Sequence, residues 1–234
     1  MKIYLYWLLL GVMVSESLWI ANLRRPIHDT LAGLVAIKFW SAGLFNSGDF
    51  PFWMGSVRFG FSWAVLHFIG GTITPITLIL GSIFDYNGVV FAADSTICLA
   101  CGAGGAYLLA RQYLQFPATA AATALSFVAS GSVWRAGIAG DWQAGYMGVP
   151  WALLGVTWAA KATTPRERCR AIAILASSYV WIVTSGYPQT WLTLPLFAIP
   201  FMAILASTSR HRLMATVATC ASAFALALLA ISPS

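Results

Sequence analysis

Apolar residues in this chain fall into long runs separated by short polar turns. The runs are Ile3–Ala21, Val89–Ala110, Pro117–Trp134, Gly145–Ala160, Ala171–Thr184, Thr190–Ser207 and Leu213–Ile231. Most approach the ~20 residues that one membrane crossing takes. The Ala171 run is short, and its ends are expected to extend into both flanking loops. Helix is the state expected of every run, because a backbone in lipid must pair its own polar groups. Pro117 and Pro165 stand at or beside helix ends, and Gly186-Tyr187-Pro188 marks a turn. An eighth stretch, Phe61–Phe84, is apolar but interrupted by Gly70-Gly71 and Pro75. It reads as a broken span, or as two half-helices that lie at the interface or re-enter.

One polar island, Asn22–Gly60, interrupts this pattern. It holds Asp29, Asp49, Arg24, Arg25, Lys38 and Arg58. Within it Leu31, Leu34, Val35, Phe39 and Ala42 share one helical face, the signature of an amphipathic helix lying on a surface. The expected fold is an all-α, polytopic transmembrane helix bundle of about seven spans. Its single domain covers 1–234: a first span at 1–21, an external loop at 22–88 with the amphipathic and half-inserted helices, and six further spans at 89–231.

Composition agrees: 59% of residues are hydrophobic and 9% charged, against about 25% charged in a soluble domain. Lys2 ahead of the first apolar run, with no clear cleavage site after it, reads as an uncleaved first helix. The net charge of +6 comes from basic residues in short loops, which act as orientation signals and do not form a nucleic-acid footprint. Two orientations compete. If Phe61–Phe84 does not cross, eight of the 13 basic residues lie inside; if it crosses, eleven do. Both place Arg111, Lys161–Arg170 and Arg210–Arg212 in the cytoplasm. They differ only over the polar island, and charge alone prefers the island inside.

Candidate chemistry is sparse. Asp29 reads as the N-cap of a surface helix, or as a general base or metal-ligating carboxylate. Arg24 and Arg25 suit lipid phosphates, Asp29, or a phosphorylated substrate. Asp49 sits in the turn SGDFPFW, whose Phe50, Phe52 and Trp53 suit an interface. His67 lies in an apolar segment, as a hydrogen-bonded residue or an axial ligand to haem or a chlorin. His28 abuts Asp29, and His211 belongs to a basic cluster. Asp94 is near enough to the start of its helix to reach the interface, and Arg135 and Asp141 are close enough to pair. Cys98-x-x-Cys101 and GAGGAY, Gly102–Tyr107, read as close helix packing. Cys169 sits in a basic loop. Many of the 11 tryptophans fall near the expected span ends, where an aromatic belt accounts for them.

The order of four segments resembles the N-terminal part of the YfhO-like bacterial membrane proteins, within the C-type membrane glycosyltransferases. They are HDTLAGLVAIKFWSAGLFNSGDFPFW, GAYLLARQYLQFPATAAATALSFVASG, YMGVPWALLG and SGYPQTW. Departures are His28 where a glycine is usual, Tyr187 where a histidine is usual, and MGSVRFGFSWA after the tryptophan; family members are also longer. The resemblance implies that Asp29 is a catalytic base at the external face of a bacterial cytoplasmic (inner) membrane. It further implies a polyprenyl-phosphate sugar donor. Arg24, Arg25, Asp49 and Arg58 are the candidate substrate-binding residues, and the cofactor is left open, a divalent metal ion being the one candidate. The expected partners are membrane lipid, the lipid-linked donor and neighbouring membrane subunits. The alternative is a non-catalytic transmembrane subunit of a larger complex bearing pigment or haem. A transporter is a third, weaker reading.

Overall fold

The computed structural model describes residues 53–54, 61–62, 74–85, 87–130, 143–185, 201 and 210–231. Most described residues are helical, joined by short turns, with one two-residue strand pair. β1 (Trp53–Met54) pairs antiparallel with β2 (Phe61–Ser62), with Trp53 opposite Ser62 and Met54 opposite Phe61. Phe61 therefore belongs to an extended pair, and the stretch expected to be helical from Phe61 onward begins differently.

The helix in that stretch, α1 (Pro75–Ile83), starts at the proline that had looked like an interruption. Proline at the first helical position loses no hydrogen bond and has its φ preset for the helix. Thr74 caps it in an extended conformation (φ −93, ψ 159), and Thr74 and Thr77 form a reciprocal capping box. Nine residues rise about 13.5 Å, under half of a ~30 Å apolar bilayer core.

α2 (Gly88–Ala110) follows after a short turn. The Asn87 side chain caps it, accepting from the amides of Val89 (2.9 Å) and Val90 (3.1 Å). α2 contains the one described helix segment, Val89–Ala110, that is long and apolar enough to cross a membrane. α3 (Pro117–Val128) again opens on proline. It ends six residues before Trp134, where its sequence run was expected to end. Arg111 fastens the α2–α3 turn, its Nη1 donating to the carbonyls of Leu114 (2.7 Å) and Gln115 (2.6 Å).

α4 (Gln143–Lys161) and α5 (Pro165–Ser185) correspond to the Gly145 and Ala171 runs. As expected, the Ala171 run extends at both ends. Residues 165–170, expected as loop, form the first turns of α5, so Cys169 is an exposed helix residue. The reason is a capping box: Thr164 Oγ1 accepts from the Glu167 amide, and Glu167 accepts from the amides of Thr163 and Thr164. α6 (Arg210–Ile231) completes the six described helices.

Small residues set the packing. A Cβ on Gly105 would lie 2.7 Å from the Trp151 indole, and one on Gly155 would lie 3.0 Å from Leu175 Cβ and 3.2 Å from its backbone. The expectation of close packing at GAGGAY is met on α4, where Met147 and Trp151 fill the room left by Gly102 and Gly105. The core is built from Cys98, Leu99, Ala103, Ala106, Ala124, Val128, Ala144 and Met147. Contacts from 102 against 147 through to Tyr113 Oη at 3.2 Å from Thr157 make α2 and α4 parallel. Trp181 Nε1 donates to the Ala144 carbonyl (2.8 Å) and Gly155 meets Leu175, so α5 is antiparallel to α4. α6 packs on α5, with Phe224 edge-on to Tyr179 at 5.0 Å.

The end of α2, the start of α3, the end of α4 and the start of α5 consequently share one end of the assembly. Arg111, Lys161, Arg166, Arg168 and Arg170 gather there. The α1–α2 turn lies at the opposite end. Of the tryptophans, Trp151 and Trp181 use their indole N–H groups inside the bundle, on the Cys101 and Ala144 carbonyls at 2.8 Å each. A belt at span ends does not account for those two.

Candidate functional site

The best-built polar site among the described residues lies where α1 begins against α2. Asp94 was expected to reach the surface; instead it is fully buried, 0% exposed. Its position explains why. Asp94 is the seventh residue of α2, about 9 Å along the axis from the first, and α1 lies against that part of the helix.

Two threonines make the burial tolerable. In the capping box each hydroxyl oxygen accepts a backbone amide: Thr74 Oγ1 from Thr77 N (2.9 Å), and Thr77 Oγ1 from Thr74 N (3.3 Å). Each hydroxyl still has one proton to donate, Asp94 lies within reach of both, and the two hydroxyl oxygens lie 3.0 Å from each other. Thr77 Oγ1 donates to Oδ2 at 2.6 Å and Thr74 Oγ1 donates to Oδ1 at 3.3 Å. Cys98, four residues along α2 on the same face, adds a thiol donor to Oδ1 at 3.5 Å. The carboxylate also faces the N-terminus of α1, whose partial positive charge favours an anion.

The cluster joins a half-length helix to a full-length one through buried polar contacts. Burying a carboxylate without hydrogen bonds costs several kcal/mol, so Asp94 and the α1 cap depend on each other. Ser95, the next residue, is also buried, but its Oγ makes no hydrogen bond among the described residues.

Sequence reasoning passed over Thr74, Thr77 and Cys98 as partners. Two signals were available: Thr-Pro-x-Thr, a helix start with proline at its first position, and the i, i+4 spacing of Asp94 and Cys98. Neither reveals that the two elements touch.

Asp29, Arg24, Arg25, Asp49 and Arg58 lie outside the described residues, as do His28, His67, Arg135, Asp141 and the 1–21 span. Among the described residues no three His, Cys, Asp or Glu side chains converge to hold a metal ion.

At the basic end, Glu167 is the polar group with the clearest electrostatic signature. Backbone hydrogen bonds from Thr163 and Thr164 hold its carboxyl at about 2. Its charge therefore serves the start of α5. No family model, curated protein or solved structure matches the chain.

Proposed function

We propose that the chain is a multi-pass protein of a bacterial inner membrane that transfers sugar from a polyprenyl-phosphate donor at the external face. Asp29 takes the proton of the acceptor hydroxyl. The acceptor oxygen then bonds to the anomeric carbon while the lipid phosphate leaves, held by Arg24, Arg25 and Arg58. Asp49 completes the substrate site.

Support comes from the order of the four sequence segments and from one structural observation. α1 is a nine-residue helix whose N-terminus is buried against Asp94. A helix of that length goes only part of the way through a bilayer. The re-entrant reading of the segment before α2 is the one that puts residues 22–60 opposite the basic end, where the resemblance needs Asp29. Basic residues gathered at one end of α2–α5 support the inward orientation of that end. Large apolar side chains on α6, including Met214, Phe224, Leu226 and Leu229, are exposed, as on a surface that meets lipid.

The test is transfer by membranes carrying Asp29→Asn with a polyprenyl-phosphate sugar as donor. Transfer is expected to fall at least ~100-fold with the amount of membrane-embedded protein unchanged. Wild-type transfer by this variant would sink the catalytic assignment. A chain that co-purifies with partner subunits and transfers nothing would establish the non-catalytic alternative.

A further inference from the structure

Trp158, Lys161, Ala162, Glu167 and Arg170 line a cavity of about 200 Å³ at the turn from α4 to α5. Its two cations are positioned by neutral partners. The Arg170 guanidinium lies 4.2 Å from the centroid of the Trp158 ring. Lys161 Nζ donates to Gln112 Oε1 at 3.3 Å and lies 5.4 Å from the Tyr113 ring centroid. The acid lining the cavity, Glu167, is occupied by the Thr163 and Thr164 amides at 2.7 and 3.0 Å and by the Thr163 hydroxyl at 3.1 Å. These bonds engage Oε2 alone and cap α5; the carboxylate forms no ion pair with Lys161 or Arg170 among the described residues, so the cavity carries two cations against one acid.

We infer that this cavity binds the phosphate headgroup of an anionic phospholipid. A stacked guanidinium keeps its N–H fork free for two phosphate oxygens, and the ammonium adds a point charge. The favoured source is lipid rather than free phosphate because of where the cavity lies. It opens where the apolar α4 and α5 reach the basic end of the assembly, beside an indole. Tryptophan and clustered Lys/Arg mark headgroup level, and basic pockets between helices take anionic headgroups there. Arg166 and Arg168, both exposed on the same first turns of α5, extend the positive field. The inference rests on the membrane placement proposed above, and is independent of Asp29.

The experiment is native mass spectrometry of the full chain in neutral detergent, with phosphatidylglycerol and phosphatidylcholine of matched acyl chains. Phosphatidylglycerol is expected to be retained about tenfold better. That preference should vanish in Lys161→Gln/Arg170→Gln, whose replaced side chains are exposed and whose melting should match the wild type. Equal retention of the two lipids, or a preference that survives the double substitution, would overturn the inference. Displacement of the lipid by low-millimolar inorganic phosphate, with phosphate binding lost in the variant, would reassign the cavity to free phosphate. Carbonate washing of the source membranes separates the two proposals: release of the chain would refute the membrane placement itself.

Discussion

Thr77 carries two duties on one oxygen, accepting the Thr74 amide and donating to Asp94. Thr77→Val keeps the shape and removes both. Leaving a buried polar group without its partner costs about 1–3 kcal/mol, so the detergent-solubilised variant should lose about that much stability in a melting assay. Thr77→Ser should recover most of the loss. Ser95→Ala is the matched control: its Oγ has no hydrogen-bond partner among the described residues, so no loss of stability is expected. Glu167 yields a pH prediction. Its folded value, about 2, lies below the ~4.3 of an unfolded chain. The cap therefore contributes fully above ~4.3 and is lost as pH falls towards 2. A carboxyl NMR titration should place the Glu167 midpoint near 2, and a midpoint at the ordinary glutamate value would refute the cap.

Helix contacts here depend on missing side chains more than on large ones. At Gly105 the obstacle to a methyl group is the Trp151 indole, held against the same helix by its bond to the Cys101 carbonyl. A rigid ring cannot withdraw as a flexible chain end can, so Gly105→Ala should force α2 and α4 apart. Overpacking of this kind costs about 1–3 kcal/mol, read as a lowered melting temperature. Gly104→Ala, whose Cβ would meet Trp151 at an ordinary 3.8 Å, should be tolerated. Such a pair separates packing from helix propensity, because both changes make the same improvement in propensity.

Topology is tested at the scale of the whole molecule, using the gathering of α2–α5 termini at one end. Cys169 is an exposed thiol at that end, and under the proposed orientation it faces the cytoplasm. A membrane-impermeant thiol reagent should label it only after lysis. A cysteine introduced at Ser41, with Cys169 replaced by serine, should label in intact cells. Labelling of Ser41→Cys only after lysis would put residues 22–60 inside and remove external transfer.

Much of the helical framework was legible in the linear pattern. Asn87, Pro117 and Thr164 with Glu167 act within a few residues of themselves, so the starts of α2, α3 and α5 follow from local hydrogen bonding and a preset proline φ. The helical identity of the Val89, Gly145, Ala171 and Leu213 runs was likewise readable, since hydrophobic periodicity is a local property. The Asp94 cluster was not. Asp94 stands 20 residues from Thr74 in the chain, and its surface or buried fate depends on whether α1 turns back along α2. The cavity at Lys161 and Arg170 is also a product of packing, because it needs Gln112 and Tyr113 from α2 to hold Lys161 beside a neighbouring helix. Local sequence decided where helices begin. Only the tertiary structure decided which polar groups they share, because each shared group is bonded from two elements at once.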